Sequence, residues 1–294
     1  MTTLLVIGTG LIGGSLAMAA RQSGRYSQVH AINRSAATNE RVLALGVADT
    51  AGLYSDLPDR VATLKANDIV VAAVPVRAYQ LVFSLLKDDL PKGVVVTDVG
   101  SAKAVVMDAA RQVWGELPES FVPGHPIAGS EKSGVEAVNP VLFQQRRCIL
   151  TPGDSARPEA IRVVTELWET VGSEVDIMDP LHHDEVLGAT SHLPHVLAYA
   201  IVDALYTLEQ KSEIFRYAAG GFRDFTRIAE SDPVMWRDIF LSNREAILSQ
   251  LDNFESHLSD LRSAISNADS SELETILERS QGARKLFSDI HNKR

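Results

Sequence analysis

The sequence contains one cysteine, Cys148, in 294 residues, and aromatic side chains make up only 6% of it. A single thiol excludes an internal disulfide and is typical of a reducing compartment, so we expect a cytoplasmic location. Because Cys148 lies in the apolar run CILTP, we interpret it as a small core residue. No apolar run is long enough to span a bilayer, and the N-terminus lacks the basic lead and cleavage site of a signal peptide.

Positive charge is also scarce, because 28 Lys and Arg face 38 Asp and Glu, giving a formal net charge of −10. This excess of acid argues against nucleic acid and against anionic membranes as partners. Any anionic ligand would have to be captured by local arginines or by helix N-termini. An apolar fraction of 45% and a charged fraction of 22% are typical of a soluble globular protein, and the length allows two domains.

Up to residue 179, short runs rich in Val and Ile alternate with segments of helical spacing. Continuous apolar runs of this length are typical of parallel strands that are buried on both faces by helices. We therefore predict an α/β fold, with a Rossmann-type doubly wound sheet over residues 1–179. The runs that predict strands are 4–8, 29–33, 68–75, 93–100, 147–152 and 174–179.

Residues 180–294 contain no further strand-like run, and their apolar residues recur at intervals of three and four. This pattern predicts an all-helical domain, to which the motifs and the resemblance described below assign substrate binding and dimerisation. From Trp236 to Ile265 the apolar residues form one stripe, which predicts a single helix of roughly eight turns. So long a stripe favours a homodimer, although it could instead pack on the protein's own first domain.

The segment LLVIGTGLIGGSLA places Gly8, Gly10 and Gly13 in G-x-G-x-x-G spacing, directly after a predicted strand. In this context the glycines permit a tight turn, a close approach to a pyrophosphate and packing of helix on strand. The helix N-terminus then offers free N–H groups to the anion. We predict a dinucleotide site that also includes Leu11, Ile12, Val74 and Pro75.

The end of the second predicted strand bears on the choice of dinucleotide. An NAD site usually has a carboxylate there to bind the ribose 2′-hydroxyl, but this chain has Asn33, followed by Arg34 and Ser35. A neutral residue beside a guanidinium suits a 2′-phosphate, so we predict NADP as the cofactor. Alternatively, Arg34 is a solvated loop charge and the site accepts either cofactor.

Two loops that follow predicted strands, TDVGSAK and VPGHPIAGSEKSG, are dense in groups that move protons or hold anions. Ligands of open α/β sheets bind at the carboxyl ends of the strands, so both loops should face the nicotinamide. His125 is predicted to accept a proton from a substrate hydroxyl, because an imidazole titrates near neutral pH. Ser101 would orient the imidazole or the hydroxyl. A purely structural histidine beside Pro126 is the alternative.

In the helical half, Pro194 interrupts a helical pattern between His192 and His195, which predicts a kink or break. A second histidine pair occupies positions 182–183. The spacing is not the i, i+4 pair of metallohydrolases, and no Cys or Glu cluster accompanies it. We therefore predict that no metal is bound.

The pair of glycines at 220–221 precedes Arg223, Asp224 and Arg227. If this segment is helical, the two arginines share a face and could clamp a carboxylate. Ordinary surface charge is the alternative interpretation.

The motifs together resemble the prephenate/arogenate (cyclohexadienyl) dehydrogenase family of tyrosine biosynthesis. The glycine fingerprint, DVGSAK, GHPIAGSEKSG, SHLPH and GGFRDFTRIAESDPVMW all match in the expected order. The similarity covers almost the whole chain, and the last four motifs are specific to the family. Its members form dimers through their helical domain, which implies the same here.

The resemblance also implies roles for individual residues. His125 would be the catalytic histidine that hydrogen-bonds the ring hydroxyl, assisted by Ser101. Arg227 would bind a substrate carboxylate, Glu131 would pair with this arginine to gate the site, and His195 would face the substrate side chain. Trp236 and Asp224 match positions that line the pocket, and Arg223 is grouped with them. The sequence departs from many members at Asn33 and Arg34, where those members carry an acid for NAD.

The expected reaction is the oxidative decarboxylation of prephenate to 4-hydroxyphenylpyruvate with NADP+. His195 favours prephenate, but Glu131 or Asp184 could serve the amino group of arogenate, so use of arogenate or of both substrates is open. Two more distant alternatives are a β-hydroxyacid dehydrogenase or imine reductase and a non-catalytic NADP-binding regulator. The former depends on a lysine in the helical half, where this chain offers only Lys211 and Lys285 before its tail.

Overall fold

A computed structural model describes residues 2–130 and 132–292. Its main sheet has six parallel strands in the order β3-β2-β1-β4-β5-β6, which is the Rossmann order and confirms the predicted fold class. The crevice for a ligand in this order lies between β1 and β4. The strands are β1 (Thr2–Ile7), β2 (Tyr26–Asn33), β3 (Thr50–Leu53), β4 (Ile69–Ala72), β5 (Val95–Asp98) and β6 (Phe121–Val122).

Helices cover both faces of this sheet, so successive strand residues enter two different cores. Leu4 and Val6 belong to one buried cluster, and Leu5 and Ile7 belong to the other. All four are fully buried, which explains why β1 appears in the sequence as a continuous apolar run. The helices between these strands are α1 (Leu11–Gln22), α2 (Ala36–Ala44), α3 (Leu57–Ala62), α4 (Tyr79–Leu86) and α5 (Lys103–Trp114).

The last two predicted strands do not join the main sheet. They form a separate three-stranded sheet in the order β7-β8-β9, in which β8 is antiparallel to β7 and parallel to β9. The prediction of one sheet was wrong here because apolar runs identify buried strands but do not identify their partners. The members are β7 (Gly124–Pro126), β8 (Arg147–Leu150) and β9 (Glu174–Ile177), with α6 (Pro158–Thr170) before β9.

The remainder of the described chain is helical. The single eight-turn helix predicted from Trp236 was wrong, because the chain breaks at Asn243, which has φ −112° and ψ 34°. The helices are α7 (Pro180–Leu187), α8 (Leu193–Tyr206), α9 (Lys211–Tyr217), α10 (Gly220–Thr226), α11 (Pro233–Ser242), α12 (Arg244–Ser266) and α13 (Ser270–Asn292). A π-helical turn, Gly188–His192, joins α7 to α8.

The chain divides into two compact units, one ending at Arg244 and the other formed by Glu245–Arg294. The change of character seen in the sequence at Pro180 coincides with the start of α7. The boundary between residues 179 and 180 stays a prediction. Among the helices of the described residues, none has the length and apolar character needed to cross a membrane.

Candidate active site

The turn after β1 is shaped by close approaches between backbone segments. Gly8 has a φ of +90°, and a Cβ there would lie 2.3 Å from the carbonyl oxygen of Ala73. A Cβ at Gly13 would lie 2.0 Å from the carbonyl oxygen of Gly8, whereas nothing lies within 4 Å of a Cβ at Gly10. The open space at Gly10 leaves room for a pyrophosphate. Because α1 has no side-chain cap, its first N–H groups are available to the same anion.

The other residues predicted to bind the cofactor surround this turn. Leu11 and Ile12 begin α1, and Val74 and Pro75 follow β4. Val74 is buried, with its Cγ1 atom 3.1 Å from the Cβ position of Gly8, while Pro75 is exposed. The structure thus brings these residues together at the crevice between β1 and β4. Their contacts with a cofactor stay a prediction.

Asn33, at the end of β2, is buried and its side chain is occupied by protein contacts. Its Oδ1 atom accepts hydrogen bonds from the backbone N–H and the hydroxyl of Thr9, both at 2.9 Å. Its Nδ2 atom donates to Oδ1 of Asn39 at 3.0 Å. Asn33 therefore fastens the glycine turn to β2, and a cofactor role through its amide would compete with these bonds.

Arg34 and Ser35 are both exposed at the start of α2. The Ser35 hydroxyl caps this helix by accepting from the backbone N–H of Thr38 at 3.2 Å. Burial raises the pKa of Tyr54, and the positive charge of Arg34 opposes that rise. A cation and a serine-capped helix N-terminus thus follow β2, and their binding of a 2′-phosphate stays a prediction.

His125 lies on the short strand β7 and not in a loop. The residue is half-buried, and the preceding Gly124 is hydrogen-bonded through both its carbonyl oxygen and its N–H. The carbonyl oxygen of Gly124 accepts from Nζ of Lys103 at 2.6 Å, and its N–H donates to Oδ1 of Asp98 at 3.2 Å. Lys103 and Asp98 form a fully buried ion pair of 2.6 Å. Both residues belong to the segment TDVGSAK, but no local pattern there predicts their pairing or their bonds to Gly124.

The imidazole of His125 is held by a second histidine from α7. Nδ1 of His125 lies 2.9 Å from Nε2 of His183, and Nδ1 of His183 lies 2.8 Å from Oδ1 of Asp184. The Asp184 carboxylate also accepts from the backbone N–H groups of Lys103 and Ala104, at 2.8 and 2.9 Å. The predicted availability of Asp184 for a substrate amino group is therefore not supported, because both of its oxygens are bonded within the protein.

The environment of His125 favours its neutral form. Burial lowers the pKa of His125 well below the ordinary value of 6.5, and the charges of His183, Lys103 and His192 lower it further. A neutral imidazole is the form that can accept a proton. His125 can therefore accept a proton at neutral pH.

The interruption predicted at Pro194 is a π-helical turn over Gly188–His192, after which Pro194 lies in the first turn of α8. The helical path continues through this turn, because the N–H of Leu193 donates to the carbonyl oxygen of Gly188, and Pro194 itself contributes no N–H to it. The ring of His195 stacks on Trp236, with ring centroids 3.6 Å apart. Nδ1 of His195 lies 2.8 Å from the carbonyl oxygen of Ser191, which fixes the ring orientation.

Asn243, at the break between α11 and α12, connects the two histidine segments. Its Nδ2 atom donates to the carbonyl oxygen of Asp184 at 2.7 Å and lies 3.0 Å from Nδ1 of His192. Burial lowers the pKa of His192 to about 4. His192 also contacts Trp236 edge-on, with centroids 6.1 Å apart. One continuous series of contacts thus connects, in order, His125, His183, Asp184, Asn243, His192, Trp236 and His195.

The charge of Arg227 affects His195, the last residue of this series. Burial lowers the pKa of His195, and the positive charge of Arg227 lowers it further. The backbone N–H of Arg227 donates to the carbonyl oxygen of Arg223, so the two arginines lie one helical turn apart, as predicted. Arg223 and Asp224 are more than three-quarters exposed and lie 3.8 Å apart. Among their described contacts, none connects these two residues to His125 or His195.

Two further residues, Ser101 and Glu131, are predicted to belong to the site. Ser101 lies partly exposed in the turn between β5 and α5, near Lys103, and its assistance to His125 stays a prediction. Glu131 lies outside the described residues. Within 2–130 and 132–292, no group of three or more His, Cys, Asp or Glu side chains is arranged to hold a metal ion.

A dinucleotide cradle with a neutral imidazole at the neighbouring strand ends is the arrangement of a nicotinamide-dependent oxidoreductase. Comparisons with known proteins identify the family. Residues 16–177 match the model of the prephenate dehydrogenase nucleotide-binding domain, and residues 179–279 match that of the prephenate dehydrogenase dimerization domain. The chain belongs to the prephenate dehydrogenase family.

Individual relatives agree with this assignment. The chain is 38% identical to cyclohexadienyl dehydrogenase of Zymomonas mobilis, over 99% of this chain and 98% of that protein. It resembles the crystal structure of Aquifex aeolicus prephenate dehydrogenase in complex with hydroxyphenyl propionate and NAD+, with a TM-score of 0.89, 35% identity and 98% coverage of both chains. Synechocystis arogenate dehydrogenase gives a TM-score of 0.82 at 28% identity, covering 97% of this chain and 100% of that one.

Proposed function

We propose that this enzyme oxidises prephenate to 4-hydroxyphenylpyruvate with NADP+ as the hydride acceptor. The observation that carries the proposal is the position of His125, which follows Gly124 at the carboxyl end of β5 and contacts His183 of the helical half. Membership of the prephenate dehydrogenase family supports the reaction class. The choices of prephenate over arogenate and of NADP over NAD are the parts that need a test.

The mechanism follows from the chemistry of the substrate and these residues. Nε2 of His125 accepts the proton of the ring hydroxyl, and Ser101 orients that hydroxyl. Arg227 binds a carboxylate of the substrate through its guanidinium. A bound nicotinamide supplies the acceptor for the hydride that leaves the hydroxyl-bearing carbon. As the ring carbonyl develops, the bond to the departing carboxylate breaks, CO2 leaves and the ring becomes aromatic.

The hydrogen bonds of Asp184 and the lowered pKa of His195 support prephenate as the substrate. Arogenate carries an ammonium group, which a free carboxylate would bind, but both oxygens of Asp184 are bonded within the protein. His195 has a lowered pKa and a fixed ring, so it presents a neutral imidazole. A neutral hydrogen-bonding group suits a keto acid. Steady-state rates with prephenate and with arogenate test this choice, and a larger kcat/KM for arogenate would reverse it.

NADP is supported by the residues at the end of β2. No carboxylate occupies positions 33–35, and Arg34 and Ser35 are exposed at the N-terminus of α2. An acid at this point would bind the 2′-hydroxyl of NAD and repel a 2′-phosphate. The similar Aquifex aeolicus structure was solved with NAD+. Rates measured with NADP+ and with NAD+ therefore decide which cofactor this enzyme prefers.

Replacing Arg34 by Asp is expected to lower kcat/KM for NADP+ relative to NAD+ by about tenfold to about a hundredfold. The reason is the loss of a charge-assisted hydrogen bond, which contributes about 1.5–3 kcal/mol. Steady-state kinetics with both cofactors measure the ratio. Lys92→Asp makes the same change of charge in the exposed turn before β5, and its ratio should equal that of the wild type. An unaltered ratio in the Arg34 variant would reject the phosphate assignment.

We expect kcat/KM to stay high at pH values below the ordinary histidine pKa of 6.5. Since protonated His125 cannot accept a proton, kcat/KM falls as the pH drops through the pKa of this residue in the free enzyme. Burial and the neighbouring charges place this pKa well below 6.5, so the acid limb should lie below pH 6.5. A pH profile of kcat/KM between pH 4.5 and 9 measures it. An acid limb at or above 6.5 would contradict the described environment.

We also propose that the enzyme works as a homodimer in the cytoplasm. The matched dimerization domain supports the dimer. Within the unit that begins at Glu245, large apolar side chains on α12 and α13 are more than 45% exposed, which favours a partner surface. These side chains are Leu248, Leu258, Ile265, Leu277, Leu286, Phe287 and Ile290.

A further inference from the structure

His125, His183 and Asp184 form a linear hydrogen-bonded series whose far end is fixed. The Asp184 carboxylate accepts from the backbone N–H groups of Lys103 and Ala104, which begin α5. The N-cap of α5, Ala102, offers no side-chain cap, so the carboxylate takes that role. Burial raises the pKa of Asp184, but the hydrogen bonds from His183, Lys103 and Ala104 outweigh it and lower the pKa. Asp184 is thus an ionised group that only accepts hydrogen bonds.

The ionised Asp184 carboxylate determines which ring nitrogens of His183 and His125 carry a hydrogen. Because Oδ1 of Asp184 can only accept, Nδ1 of His183 carries the hydrogen of the 2.8 Å bond. With Nδ1 of His183 donating to Asp184, Nε2 of the same ring is the atom that can accept, so Nδ1 of His125 carries the hydrogen of the 2.9 Å bond. The remaining ring nitrogen of His125, Nε2, is left without a proton. The opposite tautomer of His183 would direct a lone pair at a carboxylate oxygen.

We propose that His183 and Asp184 are positioning residues that hold His125 in the tautomer whose Nε2 atom accepts the hydroxyl proton. This inference rests on the proposed role of His125 as the base. When Nε2 takes the proton, Nδ1–H of His125 keeps its bond to His183 and becomes a charge-assisted donor. No proton moves along the series. His183 transmits the orientation set by Asp184, as the acid of a Ser-His-Asp triad does for its histidine.

The fold keeps this series rigid. The side chain of Asp179 caps α7 by accepting from the N–H groups of Leu181 and His182. Asn243 holds the carbonyl oxygen of Asp184, and His183 is fully buried. The side chain of the adjacent residue, His182, is exposed, and its Nδ1 atom lies 3.7 Å from the Glu185 carboxylate. The chain therefore offers a matched control one residue away.

The kinetic test compares three variants. His183→Leu removes the acceptor for His125, and kcat should fall by about 10²–10³-fold, because the wrong tautomer becomes accessible. KM for prephenate should stay within about threefold of wild type, since His183 does not contact substrate. His183→Gln places an amide oxygen near the former Nε2 and should recover kcat to within about tenfold of wild type. His182→Leu should leave kcat unchanged.

A spectroscopic test does not depend on activity. In wild-type protein labelled with ¹⁵N only at its eight histidines, the His125 resonances should show a protonated Nδ1 and an unprotonated Nε2 near pH 7.5. His125→Asn identifies these resonances by removing them. In His183→Gln the same pattern should persist.

Two results would overturn the inference. One is an Nε2–H tautomer, or a doubly protonated His183, in the wild-type spectrum. The other is an equal loss of kcat in His183→Leu and His183→Gln, which would indicate that only packing matters. If His183→Leu does not fold, the wild-type and His183→Gln spectra still decide the question. An enzyme with the predicted tautomer but no activity on prephenate would reject the proposed function instead.

Discussion

Replacing His125 by asparagine should lower kcat by about 10²–10⁴-fold, the range typical of a lost general base. Asparagine keeps a donor near the position of Nδ1, so it can still bond to His183, but it has no basic nitrogen in place of Nε2. KM for prephenate should stay close to the wild-type value, because the lost interaction acts mainly in the transition state. Steady-state formation of NADPH from prephenate and NADP+ measures both constants.

The control for this variant is His182→Asn, which makes the same exchange at an exposed neighbour of His183. Its kcat should match the wild type. Unchanged turnover in the His125 variant would remove the role of this residue as the base. Any residual activity should also lack the acid limb of the pH profile, since the group that titrates is gone.

Replacing Arg227 by alanine should raise KM for prephenate strongly. Loss of a charged contact to a substrate carboxylate costs about 2–5 kcal/mol. Because Arg227 is exposed in the free protein, the lower end is expected, which corresponds to about a 30-fold increase in KM. The kcat should change less, since the carboxylate is bound in both the ground state and the transition state.

Arg216→Ala is a suitable control, because Arg216 is another exposed arginine of the helical half. It should leave KM within about twofold of wild type. A wild-type KM in the Arg227 variant would reject the carboxylate clamp. If kcat fell while KM stayed constant, Arg227 would act on the transition state and not on binding.

Much of the fold could be predicted because buried parallel strands leave a plain pattern. β1 and β4 are buried on both faces, so they appear as continuous apolar runs before glycine or proline. β3 was missed because its four residues, TAGL, are only partly buried and contain no such run. The two-residue and three-residue strands around His125 are too short to show any periodicity.

The site was predictable only in part, because its supporting residues depend on contacts between distant elements. His125 and Arg227 were identified from unusual loop composition and from the family motifs. His183 was quoted only as part of a possible zinc pattern, since nothing local indicates that α7 packs beside β7. Asn243 breaks the helix within a continuous apolar stripe, and its side chain bonds to His192 and Asp184, which lie 51 and 59 residues earlier. Local periodicity cannot reveal contacts between residues so far apart in the sequence.

The π-helical turn at Gly188–His192 has a consequence for the phase of α8. A π turn holds one residue more than an α turn, so every later side chain is rotated by about 100° relative to an uninterrupted α-helix. The stacking of His195 on Trp236 depends on that extra residue. Deleting one residue here would leave His195 in the sequence but turn its ring away from Trp236. Chimeric dehydrogenases that exchange this helix must therefore preserve the length of the insertion as well as its residues.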